Sequence, residues 1–295
     1  MQKILVTGSN GQLGSEIKEA AQAYASSLGF IFTDVAELDI TNTEAVQAFF
    51  AKTKPTFAIN CAAYTAVDRA EAEEDAAEKI NHFAVANLTK ASAAVGAYLI
   101  HVSTDYVFDG RKNTPYREDD ATNPQSAYGR TKRRGEIAAL GYSGSLVIRT
   151  GWLYSKYGCN FVKTMLRLGA EKPQLGVVFD QVGTPTNAAD LARCILSIIG
   201  KVAAQEKEFV GGVFHFSSEG VCSWYDFAVQ IMKLGKRHCK VLPIESSAYP
   251  TPAPRPSYSV LGKEKIKNLY GVEIAHWTDS LERLMRLFAK NSFAF

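Results

Sequence analysis

No stretch of the 295-residue sequence reaches the roughly 18 unbroken apolar residues of a membrane-spanning helix, so no membrane partner is expected. An excess of one charge is missing too. The 33 basic and 30 acidic side chains leave a net charge of +3, which argues against nucleic acid as the main partner. Cysteines are few: Cys61, Cys159, Cys194, Cys222 and Cys239 are odd in number, scattered, and contain no CxxC pair. That pattern argues against a disulfide framework or a zinc site and fits reduced thiols. The opening MQKILVTG enters a strand pattern directly, without the apolar core of a signal peptide, so the expected compartment is the cytoplasm. Low-complexity runs and internal repeats are absent as well. What is left is a chain of ordinary globular composition, long enough for one two-lobed enzyme or two intimate domains.

The first fourteen residues organise the rest. Gln2–Thr7 reads as a short buried strand that ends in Gly8-Ser9-Asn10-Gly11-Gln12-Leu13-Gly14, and Glu16 to Ala25 reads as a helix. In such a strand–turn–helix, the first glycine makes the tight turn and the second lets the backbone approach a pyrophosphate. The third lets helix and strand pack closely, and the helix start offers unpaired N–H donors to the phosphates. A second strand at Phe30–Phe32 leads to Asp34, twenty residues beyond Gly14. A carboxylate there meets the adenosine ribose 2′-OH and repels a 2′-phosphate, which favours NADH over NADPH; the competing reading is a solvated loop acid. Thr41 and Glu44 make a capping box for a helix over Glu44–Lys52.

Further strands follow at Phe57–Ala62, Tyr98–Val102 and Ser145–Arg149, separated by a long helical stretch (Ala70–Val95, with a break near Asp75) and a helix from Ser126 to Leu140. Gly110 to Pro124 reads as a surface loop. The alternation predicts an α/β protein with a Rossmann-type, doubly wound parallel sheet. Ala62, Ala63, Tyr64 and Thr65 leave the third strand at its carboxyl edge, where ligands bind in open sheets, and Val102 ends the fourth. Beyond Gly151 the pattern loosens into helices at Phe161–Ala170, Ala188–Ile199, Trp224–Leu234 and Asp279–Lys290, with strands at Leu175–Phe179 and Val213–Phe216. Residues 1–150 are expected to form a nucleotide-binding domain, with elements around 175–200 returning to it. Residues 151–295 are expected to form mainly a smaller substrate lobe.

The chemistry points to Tyr128 and Lys132, which lie four apart on one helix face. Bringing a phenol from near pKa 10 toward neutrality takes about 3–4 kcal/mol at roughly 1.4 kcal/mol per pH unit. One cation about 4 Å away, at an effective dielectric near 20, supplies approximately that much. Ser103 or Thr104, at the end of the fourth strand, can hold a substrate oxygen against the tyrosine; which one does so depends on the strand's facing. Arg255, flanked by prolines, either pairs with a diphosphate through its planar fork or ties the lobe down by a salt bridge. Trp152 either stacks on a sugar or base or belongs to the core. Asp180, Gln181 and Asn160 are further cleft candidates, and His215 reads as a satisfied strand histidine.

Together these residues resemble the extended short-chain dehydrogenases/reductases. The finer segments VTGSNGQLG, LDIT, NCAAYTAVDRAE, HVSTDYVFDG, NPQSAYGRTKRRGE, RTGWLY, DQVGTPT and APRPSYSVL, spread over nearly the whole chain, are similar to the ketoreductases of dTDP-linked deoxysugars in that family. The resemblance implies hydride transfer from NADH or NADPH to the C4 ketone of dTDP-4-dehydro-L-rhamnose, giving dTDP-L-rhamnose. It implies Asn10, Gly11, Gln12, Leu13, Asp39, Ile40, Ala63, Tyr64 and Thr65 as dinucleotide contacts. Tyr128 would be the proton donor, Lys132 would bind the nicotinamide ribose and lower the tyrosine's pKa, and Thr104 would tune the donor. Asp105 and Trp152 would contact the sugar nucleotide. Two alternatives stay open: a silent NADP-binding subunit similar to the regulatory subunit of methionine adenosyltransferase, and another deoxysugar 4-ketoreductase or epimerase with the same dyad. A monomer or homodimer is expected. Some family members dimerise through a carboxylate-bound metal near the C-terminus, but this chain ends Lys290-Asn-Ser-Phe-Ala-Phe295 without acids, and no metal is predicted.

Overall fold

A computed structural model describes residues 1–290. The first half alternates strands and helices: β1 (Gln2–Thr7), α1 (Gln12–Ala20), β2 (Leu28–Thr33), α2 (Thr43–Thr53), β3 (Phe57–Asn60), α3 (Glu74–Glu78), α4 (Ala84–Val95), β4 (Tyr98–Thr104), α5 (Ala127–Leu140) and β5 (Ser145–Thr150). The second half contributes β6 (Leu153–Tyr154), α6 (Phe161–Glu171), β7 (Gln174–Val178), β8 (Val182–Gly183), β9 (Thr186–Asn187), α7 (Ala188–Ala203) and β10 (Gly212–His215). It ends with β11 (Cys222–Ser223), α8 (Trp224–Leu234), β12 (Lys240–Ile244), α9 (Glu264–Tyr270) and α10 (Trp277–Lys290). Six strands form one parallel sheet in the order β10-β5-β4-β3-β1-β2. From β1 the chain moves outward to β2 and then returns to the other side as β3. The strand order therefore reverses between β1 and β3, where open sheets leave a crevice at their carboxyl ends.

Period-two alternation builds a core on each face of this sheet. Ile4, Val6, Phe57, Ile59 and Ile100 face α1, α7 and α9, while Leu5, Ala58 and Leu99 face α2 and α4. The helix α7 starts on an Asn187 cap and buries Leu191, Ile195, Leu196, Ile198 and Ile199, each contributing about 1.5–3 kcal/mol by leaving water. So α7, β10 and α9, all from the second half, complete the six-stranded sheet and one of its helical layers. Strand β7, by contrast, pairs with β12 in a separate two-stranded sheet. A second core joins α6, α8 and α10 around Val162, Met165, Phe227, Ile231, Trp277 and Leu281.

Several local expectations shift. The first helix begins at Gln12, with Gly11 as its cap, and ends in a 3₁₀ turn at Ala21–Tyr24. The predicted Thr41–Glu44 capping box does not form. Asp39 takes both the Thr41 hydroxyl (2.7 Å) and its N–H (2.9 Å), so Asn42 caps the helix one residue later by accepting from Ala45 N (2.9 Å). The long helix over 70–95 is broken before Glu74 and contains a π-helical turn at Lys79–Phe83. There, Gly135 of α5 lies so close to the Asn81 carbonyl that an added Cβ would stand 2.0 Å from it. The loop over 110–124 is not purely surface, because Tyr116 is buried and stacks on Phe108 (centroids 4.1 Å). Sequence periodicity also missed the strand β12 and the helix α9.

Candidate active site

The turn after β1 is built by close approach. Gly8 sits at φ +66°, and a Cβ there would stand 2.5 Å from Ala62 N; one on Gly14 would stand 2.3 Å from the Gly8 carbonyl. Both positions therefore require glycine. No side chain caps Gly11, so the first N–H groups of α1 remain available to an anion at the turn. A cleft of about 440 Å³ runs alongside, lined by Gly8, Asn10, Gly11, Asp34, Asp39, Ile40, Ala62 and Ala63 together with Val35, Leu38, Thr41, Cys61 and Ile80. A glycine cradle, an uncapped helix start and an apolar floor fit the phosphates and adenosine of a dinucleotide. Asp34 also holds the turn itself: Oδ2 accepts from Asn10 N and Oδ1 from Val35 N, both at 2.9 Å.

The carboxyl end of β4 gathers the chemical groups. Ser126 caps α5 by accepting from Gly129 N (3.1 Å), which fixes where Tyr128 and Lys132 leave the helix. The strand's facing separates the two hydroxyls: Ser103 donates to Glu136 at 2.6 Å, while Thr104 donates to Asp105 at 3.0 Å and sits beside the Tyr128 phenol. Glu136 is in turn gripped by buried Arg149 through two bonds, at 2.8 and 2.9 Å, so α5 is pinned to β4 and β5 one turn beyond Lys132.

The expected ammonium–phenol pairing is replaced by something else. Lys132 Nζ donates to the Val102 carbonyl (2.7 Å) and lies 3.5 Å from His101 Nε2. Burial pushes the Tyr128 phenol up to about 12; the Thr104 hydrogen bond opposes the rise and the Asp105 charge adds to it. Burial likewise pulls Lys132 down to about 8, against the pull of Glu136 and Cys61. Asp105 is raised to about 6 by burial, with hydrogen bonds from Ser259 and Thr104 opposing. The cause is plain: desolvation dominates both groups, and the ammonium is turned toward the β4 backbone, so neither group figures among the charges acting on the other.

A second cleft, about 610 Å³, is lined by Asp68, Tyr106, Phe161, Met165, Lys172, Gln174, Gln181, Trp224, Tyr249, Thr251 and Arg255, among others. Tyr106 links it to this cluster, meeting Tyr128 edge-on at 5.6 Å. Arg255 donates to Asp68 at 2.7 Å, the salt-bridge arrangement, and still lines the cleft. Trp152, held at φ +51°, stacks face to face on Trp224 at 3.6 Å, so one of its faces is already covered by protein. A larger cleft, about 1340 Å³ around 112–120 and 260–265, contains none of the expected site residues.

Other expected residues are placed differently. The Leu13 side chain lies in the sheet core, leaving only its backbone to a ligand. Tyr64 is clamped by Asn81, which accepts from its N–H (2.9 Å) and donates to its carbonyl (3.1 Å), while the Tyr64 hydroxyl donates to Glu73. Thr65 is exposed beside it, and the Val102 carbonyl is occupied by Lys132. Asn160 donates to Gln12 (3.0 Å) and so bridges the start of α6 to the glycine turn. Asp180 accepts from Ser246 and is not among the residues lining either cleft, whereas its neighbour Gln181 lines the second. His215 is satisfied as expected, between Gly262 O and Arg149, and is pushed down to about 3 by burial and by Arg149. Sequence reasoning missed Asn81, His101, Tyr106 and Trp224; Tyr106 and His101 lay in a quoted segment, HVSTDYVFDG, but nothing in their spacing assigned them a task. The acid-free segment considered for metal binding lies, beyond Lys290, outside the described residues. Among the described residues, no group of three or more His, Cys, Asp or Glu side chains is placed to hold a metal ion, and no helix is long and apolar enough to cross a membrane.

Residues 1–289 match the family model described as the RmlD substrate binding domain. A dTDP-4-dehydrorhamnose reductase of Sinorhizobium fredii is 38% identical over 288 residues, spanning 96% of each chain. Among solved structures, a dTDP-4-dehydrorhamnose reductase from Clostridium acetobutylicum superposes with a TM-score of 0.92 at 45% identity, covering 98% of this chain and all of that one. The Bacillus anthracis dTDP-4-dehydrorhamnose reductase in complex with NADP gives 0.90 at 37% identity, covering 97% and 100%. The glycine cradle, the β4–α5 cluster and a match over nearly its full length lead to one conclusion: the chain belongs to the dTDP-4-dehydrorhamnose reductase family.

Proposed function

We propose that the chain reduces the C4 ketone of dTDP-4-dehydro-L-rhamnose to give dTDP-L-rhamnose, at the expense of NADH or NADPH. The observation that carries this reading is the cluster of Thr104, Tyr128 and Lys132, linked to the glycine-turn cleft through Cys61, which acts on Lys132, and to the aromatic cleft through Tyr106, edge-on to Tyr128. When bound, the nicotinamide cofactor supplies the hydride. The chain's own residues orient the partners and move one proton. A phenol held near 12 is fully protonated at neutral pH, which is the form a reduction needs. An alkoxide developing at C4 is a stronger base than a phenolate, so the proton passes from the Tyr128 hydroxyl to that oxygen downhill. Thr104 fixes the direction of the phenol, and Lys132 would hold the nicotinamide ribose.

In the second cleft, Trp224 and Tyr106 offer faces to the base and sugar, and Arg255 offers its fork to the diphosphate after sharing or leaving Asp68. Residues 1–150 together with α7, β10 and α9 form the nucleotide-binding unit in this reading, and the remainder forms the substrate lobe. Asp34, in the cleft that would hold the adenosine, favours NADH through repulsion of a 2′-phosphate; the NADP complex of the Bacillus anthracis relative makes the coenzyme ratio a quantity to measure. The test is spectrophotometric. With enzymatically generated dTDP-4-dehydrorhamnose, one reduced cofactor is consumed per ketosugar and the product is dTDP-L-rhamnose. Turnover without net loss of reduced cofactor would instead make the protein an epimerase, and tight cofactor binding without any oxidation would make it a silent subunit.

A further inference from the structure

Behind the catalytic lysine runs a chain of buried polar groups that the reaction as described does not use. Thr7, Asn60, His101 and Lys132 are each at most 2% exposed and come from β1, β3, β4 and α5. Asn60 Oδ1 accepts from the Thr7 hydroxyl at 2.8 Å and from the Ala62 backbone N–H at 3.1 Å. A backbone N–H can only donate, so the amide orientation of Asn60 is fixed, and its NH₂ faces His101 Nδ1 at 3.1 Å. An amide NH₂ also only donates. Nδ1 must therefore be bare, and in a neutral imidazole the ring proton sits on Nε2, the nitrogen 3.5 Å from Lys132 Nζ.

We infer that His101, locked as the Nε2–H tautomer by Asn60, is a positioning residue that presents a hydrogen-bond donor to Lys132 and so holds this lysine between its ammonium and amine forms. An ammonium has three donors and no acceptor, so its contact with Nε2–H is donor against donor. After the proton leaves for solvent, the amine lone pair accepts Nε2–H and the contact becomes a hydrogen bond. The arrangement acts against the charged form only. Desolvation works in the same direction, and burial together with Lys132 keeps His101 well below the usual histidine range and neutral. The other titratable groups facing Lys132 are Cys61 from the loop after β3 and Glu136 on its own helix; Glu136 is already held by Arg149 and Ser103, and Lys132 is the one such group acting on His101. The sign is definite: lysine charge is present at lower pH and lost as pH rises through a lowered pKa, which sets the high-pH limb of activity.

The first test uses the intact enzyme without substrate, so its result does not depend on the reductase reading. Imidazole ¹⁵N NMR of the five histidines, with His101 assigned by the signal lost in His101→Gln, reads the tautomer directly. Nδ1 bare and Nε2 protonated from pH 6 to 8 is expected; a proton on Nδ1 overturns the inference. The second test rests on the reductase reading and follows kcat/KM against pH. His101→Gln presents an amide oxygen to Lys132, and Asn60→Asp turns the imidazole proton toward Nδ1 and bares Nε2. Each variant is expected to move the high-pH limb upward by about one pH unit, a tenfold change in the lysine's acid dissociation constant. A uniform loss of activity with the limb unmoved would mean a purely structural role. If neither variant folds, His101 is assigned instead by through-bond correlation to its backbone resonances, and the wild-type tautomer decides the question.

Discussion

The two clefts are made in different ways. The one beside the glycine turn is backbone architecture: Gly8 against Ala62, Gly14 against Gly8, and an uncapped helix start. The other is side-chain architecture: Phe161 of α6 and Trp224 of α8 meet in its wall at 4.6 Å, and Trp152, from the turn between β5 and β6, stacks on Trp224. A backbone cradle tolerates no added atom at its contact points, whereas an aromatic wall loses area when one ring is removed and otherwise stands. Substitutions should therefore fail abruptly on the first side and by degrees on the second.

Gly14→Ala gives the sharpest expected contrast. Its Cβ would meet Gly8 O at 2.3 Å and Ser9 Cα at 2.6 Å, both backbone, so the turn must move. Isothermal titration should show cofactor affinity lowered at least a hundredfold in a chain whose far-UV spectrum is retained; retained affinity would show that the cradle is not where the dinucleotide sits. Trp224→Ala should have an intermediate effect. Removing the ring exposes Trp152 and widens the second cleft, and KM for the sugar nucleotide should rise about tenfold, the order of one lost aromatic stack, while cofactor affinity stays put. A change in cofactor affinity instead would break the division between the clefts. The smallest effect is expected for Asp34→Ala. Loss of the Asn10 N–H bond should weaken both coenzymes, but the NADPH-to-NADH ratio of kcat/KM should rise several-fold. An unchanged ratio would leave Asp34 as a brace of the turn alone.

The same division explains what the sequence disclosed. Strand–turn–helix spacing, glycine positions and the four-residue separation of Tyr128 and Lys132 are local, and local patterns survive translation into three dimensions. The bridges from Arg255 to Asp68 and from Asn160 to Gln12 join residues 187 and 148 positions apart, and no local signal chose between them and a ligand. Thr41 shows the limit at short range: its capping pattern was present, but Asp39 two residues earlier competed for the same hydroxyl. The direction of the Tyr128 pKa was not legible either, because it is set first by burial of the phenol, and Lys132, turned toward the β4 backbone, does not offset that burial.

The account rests on the Tyr128 hydroxyl as the proton donor to the C4 oxygen. The most direct measurement is turnover of Tyr128→Phe with reduced cofactor and dTDP-4-dehydrorhamnose, beside cofactor affinity for the same variant. Turnover reduced at least a hundredfold with nearly unchanged affinity is expected, in keeping with general-acid contributions of about 10²–10⁴. Activity equal to that of the unsubstituted enzyme would contradict it.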